Sequence, residues 1–174
     1  MKPSNMRLLF SAEEIAHHVR RLAQQISSDY QGYDLVLVGV LKGTFIFLAD
    51  LVRQLTIPVE VDFVRLASYG TNTTSSGKVR LIADVQMNLQ NRDVLIVEDI
   101  IDTGLTMEFL REHLLARQPR SLKLCVLLDK KERRDMTVPI DYRGLQLEEG
   151  FVVGYGLDCN EAGRHLPDIC EVIK

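Results

Sequence analysis

The sequence predicts an α/β fold with a central, mainly parallel sheet flanked by helices, and three observations predict it. Apolar runs without alternation recur at residues 35–40, 94–97 and 122–128, as expected of strands buried on both faces. Stretches of helical periodicity separate them, giving the strand–helix rhythm of a parallel sheet. Polar and charged residues gather just after those runs, at the strand ends where open α/β sheets bind ligands.

The elements follow in order. Ser11 and Glu14 form a capping-box pattern that opens a helix running to about residue 28, with Ile15, Val19, Leu22 and Ile26 on its apolar face. His17 and His18 are adjacent and cannot share a helix face as ligands, so they read as surface or packing residues. Residues 35–40 form a buried strand, and 44–55 read as a helix. Pro58 precedes a strand over 59–66. The stretch 68–78, SYGTNTTSSGK, has no apolar periodicity and is long for a compact domain; it reads as a lid beside the site. Strands at 79–83 and 94–97 lead to a helix over 106–117, closed off by Pro119. A strand over 122–128 is followed by the charged run KKERR, and further strands are expected at 151–155 and 169–173. The terminal segments lack the alternating rhythm and are expected to pack together as a small subdomain over the C-terminal edge of the sheet.

Length and composition bound the rest. The 174 residues suit one domain, 1–174, large enough to bury a core. No apolar run reaches membrane-spanning length, and the N-terminal stretch turns acidic too soon for a signal peptide. Cys125, Cys159 and Cys170 are odd in number and widely spaced, which argues against a disulfide framework or a thiolate metal site. A cytoplasmic location is the expectation. The net charge of −3 offers no global basic field for nucleic acid. An acidic protein that handled a polyphosphate would need local Lys/Arg and a divalent cation.

The richest segment is VLIVEDIIDTGLT, residues 94–106. Its apolar half fills a strand. Its polar half sets Glu98, Asp99 and Asp102 beside Thr103, Gly104, Leu105 and Thr106 at the start of a helical pattern. Backbone N–H groups of such a turn can hold a phosphate. The acids before it can hold sugar hydroxyls, a metal ion or a proton. Together they suit a phosphorylated sugar.

This segment resembles the phosphoribosyl pyrophosphate signature of type I phosphoribosyltransferases. With Lys42-Gly43, Ser68-Tyr69, Lys130 and the stretch FVVGYGLD at 151–158, the chain resembles the hypoxanthine-guanine phosphoribosyltransferases, in separated segments and in the family's order. The resemblance implies the type I fold, with a small hood built from the terminal segments. It also implies Mg²⁺-dependent transfer of ribose 5-phosphate to N9 of hypoxanthine or guanine, giving IMP or GMP and pyrophosphate. Dimers or tetramers of the chain are implied too.

Site roles follow from the same resemblance. Lys42 and Gly43 grip pyrophosphate, with the Leu41–Lys42 peptide cis. Glu98 and Asp99 bind the ribose hydroxyls directly or through Mg²⁺-bound water, and Asp102 sits near purine N7 as the general base or acid. Residues 103–106 wrap the 5′-phosphate. Successive strand residues point to opposite faces, so Glu98 and Asp99 can both face the sugar only if the strand is already giving way there. Lys130 donates to a 6-oxo group and cannot accept from a 6-amino group, which disfavours adenine. Phe151 stacks on the base, and the Val152 backbone reads its edge. Asp158 holds Mg²⁺ together with Glu98 and Asp99, Arg164 clamps pyrophosphate, and Ser68 and Tyr69 cover it. Leu105 stands where some relatives carry Lys, and Cys159 where an aromatic is common. Alternatives are a xanthine- or pyrimidine-specific transferase, or an RNA-binding attenuation regulator on the same fold; the latter is disfavoured by the acidic charge and the lack of a basic–aromatic stripe.

Overall fold

A computed structural model of the chain describes residues 5–69, 78–131 and 138–173. The main sheet is built on β2 (Leu35–Leu41), β5 (Asp93–Ile101) and β6 (Ser121–Lys130), all parallel. β3 (Val59–Tyr69) adds in parallel beside β2, and β7 (Tyr142–Leu147) in parallel beside β6. The edge strand β4 (Lys78–Ala83) is antiparallel to β3, giving the order β4-β3-β2-β5-β6-β7.

The buried runs divide their side chains between two cores. Leu35, Leu37, Leu95, Val97, Cys125 and Leu127 face one layer, with α1 (Ala12–Asp29) and α2 (Phe45–Gln54). Val36, Val38, Val94, Ile96, Leu124 and Val126 face the other, with α3 (Leu105–Leu115). This is the strand buried on both faces that the unbroken apolar runs predict. Helix α1 starts as expected: Ser11 Oγ accepts from the Glu14 N–H at 3.3 Å, and Glu14 Oε2 accepts from the Ser11 N–H at 2.8 Å.

β1 (Met6–Phe10) pairs antiparallel with β9 (Ile169–Val172), which pairs antiparallel with β8 (Val152–Val153). This three-stranded sheet joins the two terminal segments, as expected of the hood. The elements depart from the sequence reading in several places. β1 and β7 are strands that the sequence pattern did not indicate. The strand expected at 151–155 shrinks to two residues, because Gly154, Tyr155 and Gly156 all take positive φ (105°, 50° and 99°). The strand expected at 94–97 extends to Ile101, so Glu98 and Asp99 lie within it.

Connections from β2 lead outward to β3, while β5 lies on β2's other side. Strand order therefore reverses between β2 and β5. A crevice at such a reversal, outside the carboxyl ends of the strands, is the binding position of open α/β sheets.

Candidate active site

The segments that follow β2 and β5 flank this crevice. After β2 the chain runs through Lys42-Gly43-Thr44 into α2, across a Leu41–Lys42 peptide that is cis. Thr44 is fully buried and its hydroxyl donates to the Val97 carbonyl of β5 at 3.3 Å, tying the two segments together. Gly43 is required by space: a Cβ there would lie 1.7 Å from Asp99 Oδ2. Gly156 meets the same segment from the hood, where an added Cβ would lie 2.1 Å from the Gly43 carbonyl oxygen. A bare backbone on each side lets the hood close onto the sheet.

One cavity of about 320 Å³ gathers residues from four chain segments. Lys42 and Gly43 come from the end of β2, Asp99 and Asp102 from β5 and its turn, and Lys130 from the last position of β6. Phe151, Val152, Asp158 and Arg164 come from the hood. Phe151 is 52% exposed, so this aromatic is not spent on the core. Lys130 is buried, with its ammonium 3.8 Å from Asp102 Oδ2.

A second cavity of about 150 Å³ adjoins it, lined by Glu98, Asp102, Thr103, Gly104 and Thr106 among others. Gly104 is the residue before α3, at φ 89°, and no side chain caps the helix there. The first turn of α3 therefore presents backbone donors that its N-cap residue does not satisfy, a suitable receptor for a phosphate. Leu105 opens the helix, its N–H donating to Thr103 Oγ1 at 3.4 Å.

Glu98 and Asp99 are both buried and lie on opposite walls, one per cavity, as consecutive residues of a continuing strand should. The expectation that the strand gives way at this pair is thus corrected: register with β6 holds through Glu98, Ile100 and Ile101. The two carboxyls nonetheless hydrogen-bond to each other. Burial, then the Asp99 charge, pushes Glu98 well above the ordinary carboxyl range; burial also raises Asp99, against the opposing hydrogen bond from Glu98. Glu98 Oε2 is buried with no hydrogen-bond partner among the described residues.

Asp158 shares the larger cavity with Asp99. Its Oδ1 lies 2.6 Å from the Arg164 guanidinium and its Oδ2 accepts from the Glu161 N–H at 2.7 Å. Among the described residues, no three acids, histidines or cysteines come together as a ready-made metal cluster. Ser68 and Tyr69 end β3, pairing with Val79 and Lys78; their side chains and residues 70–77, which carry the expected lid, lie outside the described residues. One participant escaped the sequence reading. Glu161 Oε1 accepts from Lys42 Nζ at 2.8 Å, a contact across 119 positions that no local motif announces.

The phosphoribosyl transferase domain family matches residues 9–160. Among solved structures, a hypoxanthine-guanine phosphoribosyltransferase from Bacillus anthracis superposes with a TM-score of 0.91 at 44% identity, covering 96% of this chain and 98% of that one. A protein of that same name from Aquifex aeolicus is 44% identical over 170 residues, 97% of this chain and 96% of the relative. The hypoxanthine phosphoribosyltransferase of Escherichia coli strain K12 is 44% identical over 162 residues, 92% and 91% of the two chains. The chain belongs to the phosphoribosyltransferases, and within them to the hypoxanthine-guanine phosphoribosyltransferase family.

Proposed function

We propose that this single domain transfers ribose 5-phosphate from phosphoribosyl pyrophosphate to N9 of hypoxanthine or guanine, for purine salvage in the cytoplasm. The observation that carries the reading is the pairing of Lys130 with Asp102 inside the 320 Å³ cavity, beside the half-exposed Phe151. O6 on the six-membered ring of a 6-oxopurine and N7 on its five-membered ring are neighbours along one edge. A cation and a carboxylate set side by side match a 6-oxo acceptor next to an N7–H donor. An adenine would turn its amino group toward a donor and leave both unpaired.

In this reading N9 attacks the anomeric carbon and forms the new C–N bond. The bond from that carbon to the pyrophosphate oxygen breaks, and its electron pair leaves with pyrophosphate. Asp102 takes the proton released from the base ring. Thr103, Gly104, Leu105 and Thr106, at the start of α3, hold the 5′-phosphate. Lys42 and Arg164 balance the charge of the pyrophosphate, Phe151 stacks on the base, and the Val152 backbone reads its edge. Ser68, Tyr69 and the following loop are proposed to cover the pyrophosphate and keep water from the activated sugar.

The buried oxygens fit a magnesium ion. Burial raises the pKa of both Glu98 and Asp99, a cost that a hard cation would offset, and Glu98 Oε2 is a buried acceptor without a partner among the described residues. Glu98 and Asp99, with Asp158 from the hood side, are the residues proposed to hold it, directly or through water. When bound, it would supply Lewis-acid neutralisation of the leaving pyrophosphate. A homodimer or homotetramer is proposed from the family. Steady-state turnover with hypoxanthine, guanine, xanthine, adenine and uracil tests the reading. Turnover of the two 6-oxopurines above all others is expected. Preference for xanthine or uracil would assign the alternative specificity, and no turnover with any base would overturn the activity.

A further inference from the structure

The two cations assigned to the pyrophosphate already share a carboxylate. Lys42 Nζ donates to Glu161 Oε1 at 2.8 Å, and the Arg164 guanidinium donates to Glu161 Oε2 at 3.2 Å. One residue thus spans both cations with two anionic oxygens, the same arrangement that bridging phosphate oxygens would adopt. Lys42 and Arg164 line the 320 Å³ cavity. Glu161 lines an adjoining groove with Arg164, outside the cavity wall. It therefore holds the cations from their solvent side.

The turn that presents Glu161 is costly for that residue. Cys159 and Ala162 exchange both backbone hydrogen bonds, at 2.9 and 3.0 Å, closing a two-residue hairpin loop. Asn160 and Glu161 occupy its centre at φ 50° and 64°, which defines the primed turn with both central residues left-handed. Asn suits the first position. The second is the position where Gly is favoured, and a glutamate there has the wrong backbone preference. Two ion pairs offset that preference. Lys42 first, then Arg164, hold the Glu161 carboxyl below the ordinary range, so it is an anion at neutral pH. The Arg164 guanidinium also donates to the Gly156 carbonyl at 2.8 Å and contacts Asp158 at 2.6 Å, so Glu161 shares its placement with two other acceptors.

We propose that Glu161 is a surrogate anion for the pyrophosphate. It orients Lys42 and Arg164 while the site is empty, yields them when the substrate arrives, and competes for them again as pyrophosphate leaves. The inference rests on the phosphoribosyl transfer assigned above. It makes Glu161 a positioning residue, acting on substrate only through the two cations. Its carboxylate weakens pyrophosphate binding and speeds pyrophosphate release.

Removing the charge should tighten pyrophosphate. In titration calorimetry with Mg²⁺ and pyrophosphate, Glu161→Gln is expected to bind roughly threefold to tenfold tighter than wild type, the scale of one or two exposed ion pairs lost as competitors. KM for phosphoribosyl pyrophosphate should fall by a similar factor, and KM for hypoxanthine should stay. Glu161→Gly relaxes the turn as well as removing the charge, so it should tighten pyrophosphate without impairing folding. Unchanged or weaker pyrophosphate binding in both folded variants, with an active wild type, overturns the surrogate role alone. A wild type that neither binds pyrophosphate nor turns over any base overturns the underlying activity, and this inference with it.

Discussion

Lys130 and Asp102 face each other at 3.8 Å across one end of the site, from the last residue of β6 and the turn after β5. Lys130 is buried while Asp102 is more than a third open on its side chain. The ammonium is fixed by the strand, and the carboxylate is reachable from the cavity. A fixed donor beside a reachable proton acceptor divides the work: one group selects the base and the other moves its proton.

Asp102→Ala is expected to lower kcat by roughly 10²–10⁴, the range for a positioned acid–base group. Thermal stability should change little. Single-turnover measurements at saturating substrate check it, and near wild-type turnover would remove the acid–base role.

Lys130→Ala is expected to raise KM for hypoxanthine by about 1.5–3 kcal/mol in binding terms, the worth of a hydrogen bond to a charged group. Discrimination against adenine should narrow in parallel. If purine KM holds steady and only melting temperature moves, Lys130 is structural.

Gly43→Ala should damage catalysis without touching any reacting group. The new methyl would meet Asp99 Oδ2 at 1.7 Å, so the carboxylate has to move. A displacement of that size costs on the order of 10²-fold in kcat/KM. Unimpaired kcat/KM in a folded Gly43→Ala protein would show that Asp99 needs no fixed position.

At the other end of the sheet, Asp93 sets an acid limit on stability. Its carboxylate accepts from Arg120 Nε at 3.1 Å and from the Ser121 hydroxyl at 2.6 Å, and it is itself buried. The Arg120 hydrogen bond, against the cost of burial and helped by Ser121, holds its pKa below the ordinary 3.8. A depressed carboxyl stabilises fully above its unfolded pKa and loses that contribution as pH falls through the folded value. Asp93→Asn should therefore lower stability by about 1.5–3 kcal/mol at neutral pH, with the deficit shrinking below pH 3.8. Chemical denaturation at pH 7 and pH 3 checks this, and an equal deficit at both would reject the ionic origin.

The central strands were legible because their burial leaves a mark on every residue: Leu35, Val36 and Leu37, or Leu124, Cys125 and Val126, are apolar without a gap. Edge strands leave no such mark. Met6 and Leu8 in β1 are exposed, and that strand exists through its pairing with Val172 and Cys170 far along the chain. In β7, Gly144 interrupts the pattern between Tyr142 and Leu145. The same division runs through the site. Asp99, Asp102 and Lys130 stand at or just past the ends of legible strands, where position and the family resemblance both direct attention. Glu161 reaches Lys42 only because a tight turn aims it there, and local spacing carries no trace of that encounter.

The pairing of β1 with β9 has a consequence for biosynthesis. A ribosome makes the acid pair, the start of α3 and Lys130 before it makes β9. The partner strand for residues 6–10 does not exist until residue 169 has been added. Phe151, Asp158 and Arg164 wait on the same late step. The groups assigned to the sugar phosphate are thus synthesised before the strand that closes the hood over a base, and competence should arrive only once β9 has paired with β1.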